Sequence, residues 1–235
     1  MSDNNVLKIE KLHAWYGESH VLQGIGIRVG QGELVTLLGR NGAGKTTTMK
    51  CIMGLVAHRT GSIVIDGVET IALPSRKIAR IGLGYVPEER GIYSSMNVRE
   101  NLLLPPVIAE GGMKLEEIFE LFPNLRARLD SQGTKLSGGE QQMLAIARVL
   151  RTGAKILLLD EPTEGLAPVI IEQIHGLIQR LKARGFTIIL VEQNFRFATT
   201  LADRHYIVEQ GAIVDEFDNA ELLRDEQRVL RYLGV

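Results

Sequence analysis

A five-residue aliphatic stretch, Leu34-Val35-Thr36-Leu37-Leu38, runs without a break into Gly39-Arg40-Asn41-Gly42-Ala43-Gly44-Lys45-Thr46, and residues 46–53 can continue as a helix. A continuous rather than alternating apolar run fits a strand buried on both faces, as in a parallel sheet covered by helices. Strand, glycine-rich loop and helix in direct succession restrict the chain to an α/β architecture and give the loop the context a phosphate-binding motif needs. Glycines at 39, 42 and 44 let consecutive backbone N–H groups turn inward around phosphate oxygens, and the helix start adds its positive dipole end. In such a loop Lys45 reaches the β- and γ-phosphates of a nucleoside triphosphate and the Thr46 hydroxyl ligates Mg²⁺. Arg40, Asn41, Ala43 and Thr47 complete the expected nucleotide-binding stretch. The alternative is a glycine-rich strand-to-helix turn with no ligand.

Three further apolar runs, residues 82–86, 156–159 and Thr187–Val191, read as strands of the same sheet. Between the last two, Ile170, Ile174, Leu177 and Leu181 recur at spacings that place them on one helix face, with Pro168 near the first turn and Gly185 past the end. Strand, helix, strand implies a right-handed parallel crossover. Residues 6–16 and 24–32 read as an N-terminal strand pair, 62–67 as a short strand, and 206–214 as a hairpin around Gln210-Gly211. Together they suggest an antiparallel β layer beside the parallel core. Helical segments at 98–104, 114–122 and 138–150, punctuated by Pro105-Pro106 and Gly111-Gly112, read as an inserted helical subdomain. The expected organisation is one domain over 1–235, with a catalytic core at 1–88 and 151–235 and the helical part at about 89–150.

A net charge of −1 gives no electrostatic case for nucleic acid. Ile156-Leu157-Leu158-Leu159 is far short of the roughly 20 residues that span a bilayer, and Met1-Ser2-Asp3-Asn4-Asn5 lacks a basic-then-apolar signal pattern. The expectation is a cytoplasmic chain that reaches a membrane only through partners. Cys51 is the single cysteine, so no internal disulfide forms, and it reads as a small buried residue.

Asp160 and Glu161 follow the third apolar run. A carboxylate there emerges at the carboxyl edge of the sheet, where ligands bind in such folds. Asp160 would hold Mg²⁺, directly or through water, and Glu161 would orient the water that attacks the γ-phosphate. The alternative makes Asp160 a helix cap and Glu161 a solvated side chain. Leu136-Ser137-Gly138-Gly139-Glu140 opens another helix with a hydroxyl and several unpaired N–H groups. That is a γ-phosphate grip, and its own chain already surrounds the phosphates with residues 39–46. It therefore suits a nucleotide held by another molecule, unless Ser137 is simply a cap.

These three motifs, in this order and spacing, resemble those of an ATP-binding cassette (ABC) ATPase over essentially the whole chain. The resemblance implies that two cassettes pair head to tail, each ATP lying between one chain's phosphate loop and the other's serine–glycine signature. It also implies that an aromatic residue, here Tyr16, stacks on adenine, with a packed strand aromatic as the alternative and Trp15 as the core residue. Three positions depart from the common pattern: Glu88 stands for the usual glutamine, Gln193 for histidine and Ala167 for aspartate. Glu88 ligates Mg²⁺ more strongly than an amide but adds negative charge. Gln193 still donates to the γ-phosphate, yet does not titrate near neutral pH. Ala167 removes a hydrogen-bonding group at the pair interface.

Val86-Pro87-Glu88, Gly165-Leu166-Ala167-Pro168, Val191-Glu192-Gln193-Asn194 and the closing Arg231-Tyr232-Leu233-Gly234-Val235 are similar to the LivF type of branched-chain amino-acid importer subunit, although Glu89 replaces its usual glycine. That likeness implies a second cassette, two membrane permeases and an extracytoplasmic solute-binding protein as partners, at the cytoplasmic face of the membrane. It also implies that the segment from Glu88 to about Leu125 passes motion to a permease, ordinary packing being the alternative. Importers of urea, short amides or aromatic acids share much of the pattern. A soluble cassette regulator or assembly factor, and an ATP-binding scaffold without turnover, are the readings outside transport.

Overall fold

The computed structural model describes residues 5–224 and 231–232, so the expectations placed on 1–4 and 233–235 lie outside the described residues. Along the chain run β1 (Asn5–Tyr16), β2 (Ser19–Gly30), β3 (Leu34–Leu38), α1 (Lys45–Ile52), β4 (His58–Ile65), β5 (Val68–Glu69), α2 (Ser75–Ala79) and β6 (Leu83–Val86). Four helices follow: α3 (Val98–Leu103), α4 (Leu115–Leu121), α5 (Pro123–Ala127) and, after a 3₁₀ turn at Gly133–Lys135, α6 (Gly138–Arg151). The chain continues with β7 (Ile156–Asp160), α7 (Pro168–Ala183), β8 (Thr187–Val191), α8 (Phe195–Thr199), β9 (Arg204–Glu209), β10 (Ala212–Asp218) and α9 (Asn219–Arg224).

The strands form two sheets. One is antiparallel, in the order β2-β1-β4-β5; the other has six strands in the order β10-β9-β3-β8-β7-β6, parallel except at β10. β3, β7 and β8 are buried at every position, as their unbroken apolar runs demand. Successive residues of β7 serve opposite faces: Leu157 and Leu159 join α6 and α7, whereas Ile156 and Leu158 join α1 and the antiparallel sheet. Cys51 lies fully buried in that second cluster, and burial pushes its thiol up to about 12.

The structure corrects the reading of two flanks. The 206–214 hairpin turns at Gln210 and Gly211, both at positive φ, but it is not part of the separate antiparallel layer: β9 pairs in parallel with β3 and extends the main sheet. The N-terminal hairpin is also tighter than the sequence suggests, for β2 starts at Ser19 and pairs with Tyr16 across Gly17-Glu18. α7 matches its pattern: Pro168 is in the first turn, Ile174, Leu177 and Leu181 are buried, and Gly185 at φ 79° follows the last turn.

Helices α3 to α6 lie between β6 and β7 in sequence, and their apolar faces share one core with α7 and the sheet. Leu144 of α6 is wholly buried at that junction. Leu144→Ala is expected to lower unfolding free energy by about 2–5 kcal/mol, measured by chemical denaturation with the native fold kept in the circular-dichroism spectrum.

Candidate nucleotide site

Three strands end at one edge of the main sheet. β3 passes into the glycine loop, β7 ends in Asp160 followed by Glu161, and β8 is followed by Glu192 and Gln193. Register aligns them, because Val191 pairs with Leu37 on one side and with Asp160 on the other. The loop can lie this close to β9 only with glycine at 39: φ is 153°, and a Cβ would stand 2.2 Å from the Val208 carbonyl oxygen.

Lys45 is 4% exposed, and its Nζ donates to the carbonyls of Gly39 (2.8 Å) and Arg40 (3.1 Å), 3.6 Å from Glu161 Oε1. Thr46 Oγ1 donates to Asp160 Oδ1 at 3.0 Å, and the Tyr85 hydroxyl donates to Oδ2 at 2.9 Å. Gln193 Nε2 donates to Glu161 Oε2 at 2.5 Å. A cavity of about 350 Å³ opens over these groups. Asn41, Gly42, Gly44, Lys45, Thr46 and Thr47 line it from the loop, opposite Glu88, Glu161, Glu164 and Gln193, with Val21 of β2 alongside. The expected catalytic residues Glu88, Glu161 and Gln193 thus share one cavity with Thr46, whereas Asp160 does not line it and is fully buried, bonded to Thr46. Arg40 is exposed beside it, Ala43 is buried, and Gly39 anchors the loop beneath it.

Carboxylates crowd this cavity. Burial pushes Asp160 above the usual range, against the pull of the Tyr85 and Thr46 hydroxyls. Glu164 is pushed up to about 7, first by its hydrogen bond with Glu161 and then by burial and neighbouring carboxylates. Burial and nearby Asp160 also keep the Tyr85 phenol firmly protonated, hence a donor. A triphosphate would add more negative charge, so the oxygen donors Thr46, Asp160 and Glu88 fit a hard divalent cation such as Mg²⁺, shared with phosphate.

The signature residues stand apart: none of Leu136, Ser137, Gly138, Gly139 and Glu140 lines the cavity. Ser137 caps α6 reciprocally, Oγ accepting from Glu140 N–H (3.3 Å) and Glu140 Oε2 accepting from Ser137 N–H (2.8 Å). Burial would raise the Glu140 carboxyl, but Ser137 and Arg128 hold it below its ordinary value. Ser137 is exposed, Leu136 is buried, and Gly139 is buried where a Cβ would lie 2.6 Å from the Ile170 side chain. Gly139 therefore serves the packing of α6 on α7, whatever else it does.

Tyr16 ends β1, is 49% exposed and lies outside the cavity-lining set. Trp15 is not a core residue. It is half-buried on the outer face of the antiparallel sheet, stacked between His20 (4.5 Å) and His58 (4.4 Å). Sequence reasoning missed Val21, Tyr85, Glu164 and Glu192. Glu164 alone carried a local signal, three residues beyond Glu161. Tyr85 meets Asp160 only because Tyr85 and Leu158 are paired in register.

Residues 22–164 match the ABC transporter family. The chain is 41% identical over 232 residues to the high-affinity branched-chain amino acid transport ATP-binding protein BraG of Pseudomonas aeruginosa, covering 97% of this chain and 100% of that protein. It is 35% identical to the lipopolysaccharide export system ATP-binding protein LptB of Escherichia coli K12, covering 97% of each. Among solved structures, an ATP-binding subunit of an ABC transporter superposes with a TM-score of 0.83 at 27% identity, covering 98% of this chain and 100% of that one. A dimeric ATP-binding cassette in a post-hydrolysis state with ADP and Pi does so at 0.79 and 25% identity, covering 91% and 98%.

The raised Glu164 carboxyl sets a pH dependence. Its folded value, about 7, exceeds the ordinary glutamate value of 4.5, so the stability it contributes is complete below about 4.5 and lost as pH rises through about 7. In protein free of nucleotide and divalent metal, Glu164→Gln is expected to flatten the fall in Tm across that window, measured by calorimetry at stepped pH.

Proposed function

The chain belongs to the ABC transporter family, and on that footing we propose that it is the ATP-hydrolysing subunit that energises import of branched-chain amino acids. One observation carries the reading: Lys45, Thr46, Glu161 and Gln193 line a single cavity, with Asp160 hydrogen-bonded at its floor. The likeness to BraG across the whole chain supports the solute class.

In this reading the loop amides and Lys45 bind the β- and γ-phosphates, and Lys45 exchanges its bonds to the Gly39 and Arg40 carbonyls for phosphate oxygens. Thr46, Asp160 and Glu88 hold Mg²⁺, which when bound neutralises charge developing on the phosphates. Glu161 orients the attacking water, and Gln193, now bonded to Glu161, turns its amide toward the γ-phosphate. Tyr16 stacks on adenine, worth about 0.5–1.5 kcal/mol. A second cassette offers its own Ser137 and the amides behind it. Contacts that exist only while the γ-phosphate is present favour the closed pair, and hydrolysis releases it.

The chain sits at the cytoplasmic face of the membrane, and two transmembrane permease subunits and an extracytoplasmic solute-binding protein complete the assembly. Among the described residues no helix is long and apolar enough to cross a membrane. The proposed moving part is the helical segment at about 89–150, set against a core of 1–88 and 151–235. Its exposed Tyr93, Leu103, Leu104 and Val107 support a permease-facing role for the segment from Glu88 to about Leu125.

Glu161→Gln is expected to keep ATP binding while lowering turnover by at least about 100-fold, read by equilibrium binding and phosphate release; undiminished turnover would remove Glu161 from catalysis. Gln193→Ala should slow ATPase and transport together in the assembled transporter, and unchanged rates would exclude its phosphate contact. In vesicles holding the permeases and binding protein, ATP should drive uptake of branched-chain amino acids. Uptake of urea or aromatic acids instead would overturn the solute assignment.

A further inference from the structure

Glu192 takes no part in the chemistry above, yet it is a carboxylate with only 3% of its surface exposed, set between the two loops that carry that chemistry. Its Oε1 accepts a hydrogen bond from the Thr163 hydroxyl at 2.7 Å, and its Oε2 accepts from the backbone N–H groups of Gln193 (3.2 Å) and Asn194 (3.3 Å). Thr163 lies two residues beyond Glu161, and the Gln193 side chain returns to Glu161 at 2.5 Å. The path Glu161, Pro162, Thr163, Glu192, Gln193 and back to Glu161 is therefore a closed ring of covalent and hydrogen bonds. Glu161 N–H donating to the Val191 carbonyl at 3.0 Å braces it.

We infer that Glu192 is a positioning residue: its buried carboxylate ties the loop after β7 to the loop after β8, so that Glu161 and Gln193 approach the γ-phosphate as one unit. The inference rests on the catalytic roles proposed above for those two residues.

Three features support it. Glu161 sits at φ 46°, a left-handed conformation that a residue with a Cβ adopts at a cost, and a ring closing on both sides of it supplies the restraint such a conformation needs. Burial pushes Glu192 above the ordinary carboxylate range, and Thr163 and the amides of Asn194 and Gln193 oppose that shift, so these donors meet the polar demand of a buried carboxyl group. Each oxygen also serves a different loop, Oε1 the β7 side and Oε2 the β8 side. A glutamine would present an NH₂ group to at least one of these donors.

The test compares Glu192→Gln, Thr163→Val and Thr163→Ser in the full chain, alone and paired with its permeases. Glu192→Gln and Thr163→Val should each lower kcat for ATP by about 10–100-fold, the loss of a hydrogen bond to a charged group. KM and nucleotide affinity should stay within about twofold, Tm should fall by no more than about 10 °C, and Thr163→Ser should restore the rate. The double variant should lose little more than either single one, because the two residues form one bond. Hydrogen exchange should rise together in residues 161–165 and 191–195 of either damaging variant. The inference fails if kcat holds in both, if the loss appears in nucleotide affinity, if serine does not rescue, if the two effects add in full, or if exchange rises in one loop alone. Should Glu192→Gln not fold, the threonine pair and its exchange pattern decide the matter. A wild-type chain without ATPase activity, alone or assembled, would instead defeat the functional reading.

Discussion

The shared ending of β3, β7 and β8 at one sheet edge is the constraint on which the rest of this protein depends. Buried parallel strands must satisfy every backbone group by pairing, and that requirement sets the register among Leu37, Val191 and Asp160. A one-residue slip of β7 would turn Asp160 away from Thr46 and send the Leu157 and Leu159 side chains to the opposite core. Core packing thus sets where the strand ends stand, and the loop bonds build on that placement.

The second governing feature is an excess of carboxylates. Burial or neighbouring negative charge pushes Asp160, Glu164 and Glu192 above the ordinary carboxylate range, and Lys45, 3.6 Å from Glu161, is bonded to loop carbonyls. Such a site gains most from a ligand that brings divalent cations with its phosphates. On the proposed function, Glu88 in place of an amide would shift that balance further toward the metal, and Gln193 in place of a titratable imidazole would leave switching to phosphate contacts rather than to protonation.

Ser137 and Gly139 show one sequence motif satisfying two demands. The serine is both exposed and engaged in a reciprocal helix cap, while the second glycine is required by the approach of Ile170. Local stability is thus compatible with the recognition by another molecule that the proposed function requires. A capped helix start holds its remaining N–H groups rigidly outward, whereas a frayed one could not present them.

From residue order alone came the phosphate loop, the four buried strands, α7 with its proline start and glycine stop, the helical segment between β6 and β7, and the pairing of Asp160 with Glu161 at a strand end. Each is a local pattern, in which short-range sterics and hydrophobic period decide the outcome. Tertiary structure alone decided that β9 joins β3 in parallel, that Trp15 stacks between histidines instead of entering the core, that Tyr85 reaches Asp160, and that Glu192 bridges Thr163 and Gln193. These contacts join residues distant in sequence, and their partners are set by register and by competition for buried space, which no local window contains.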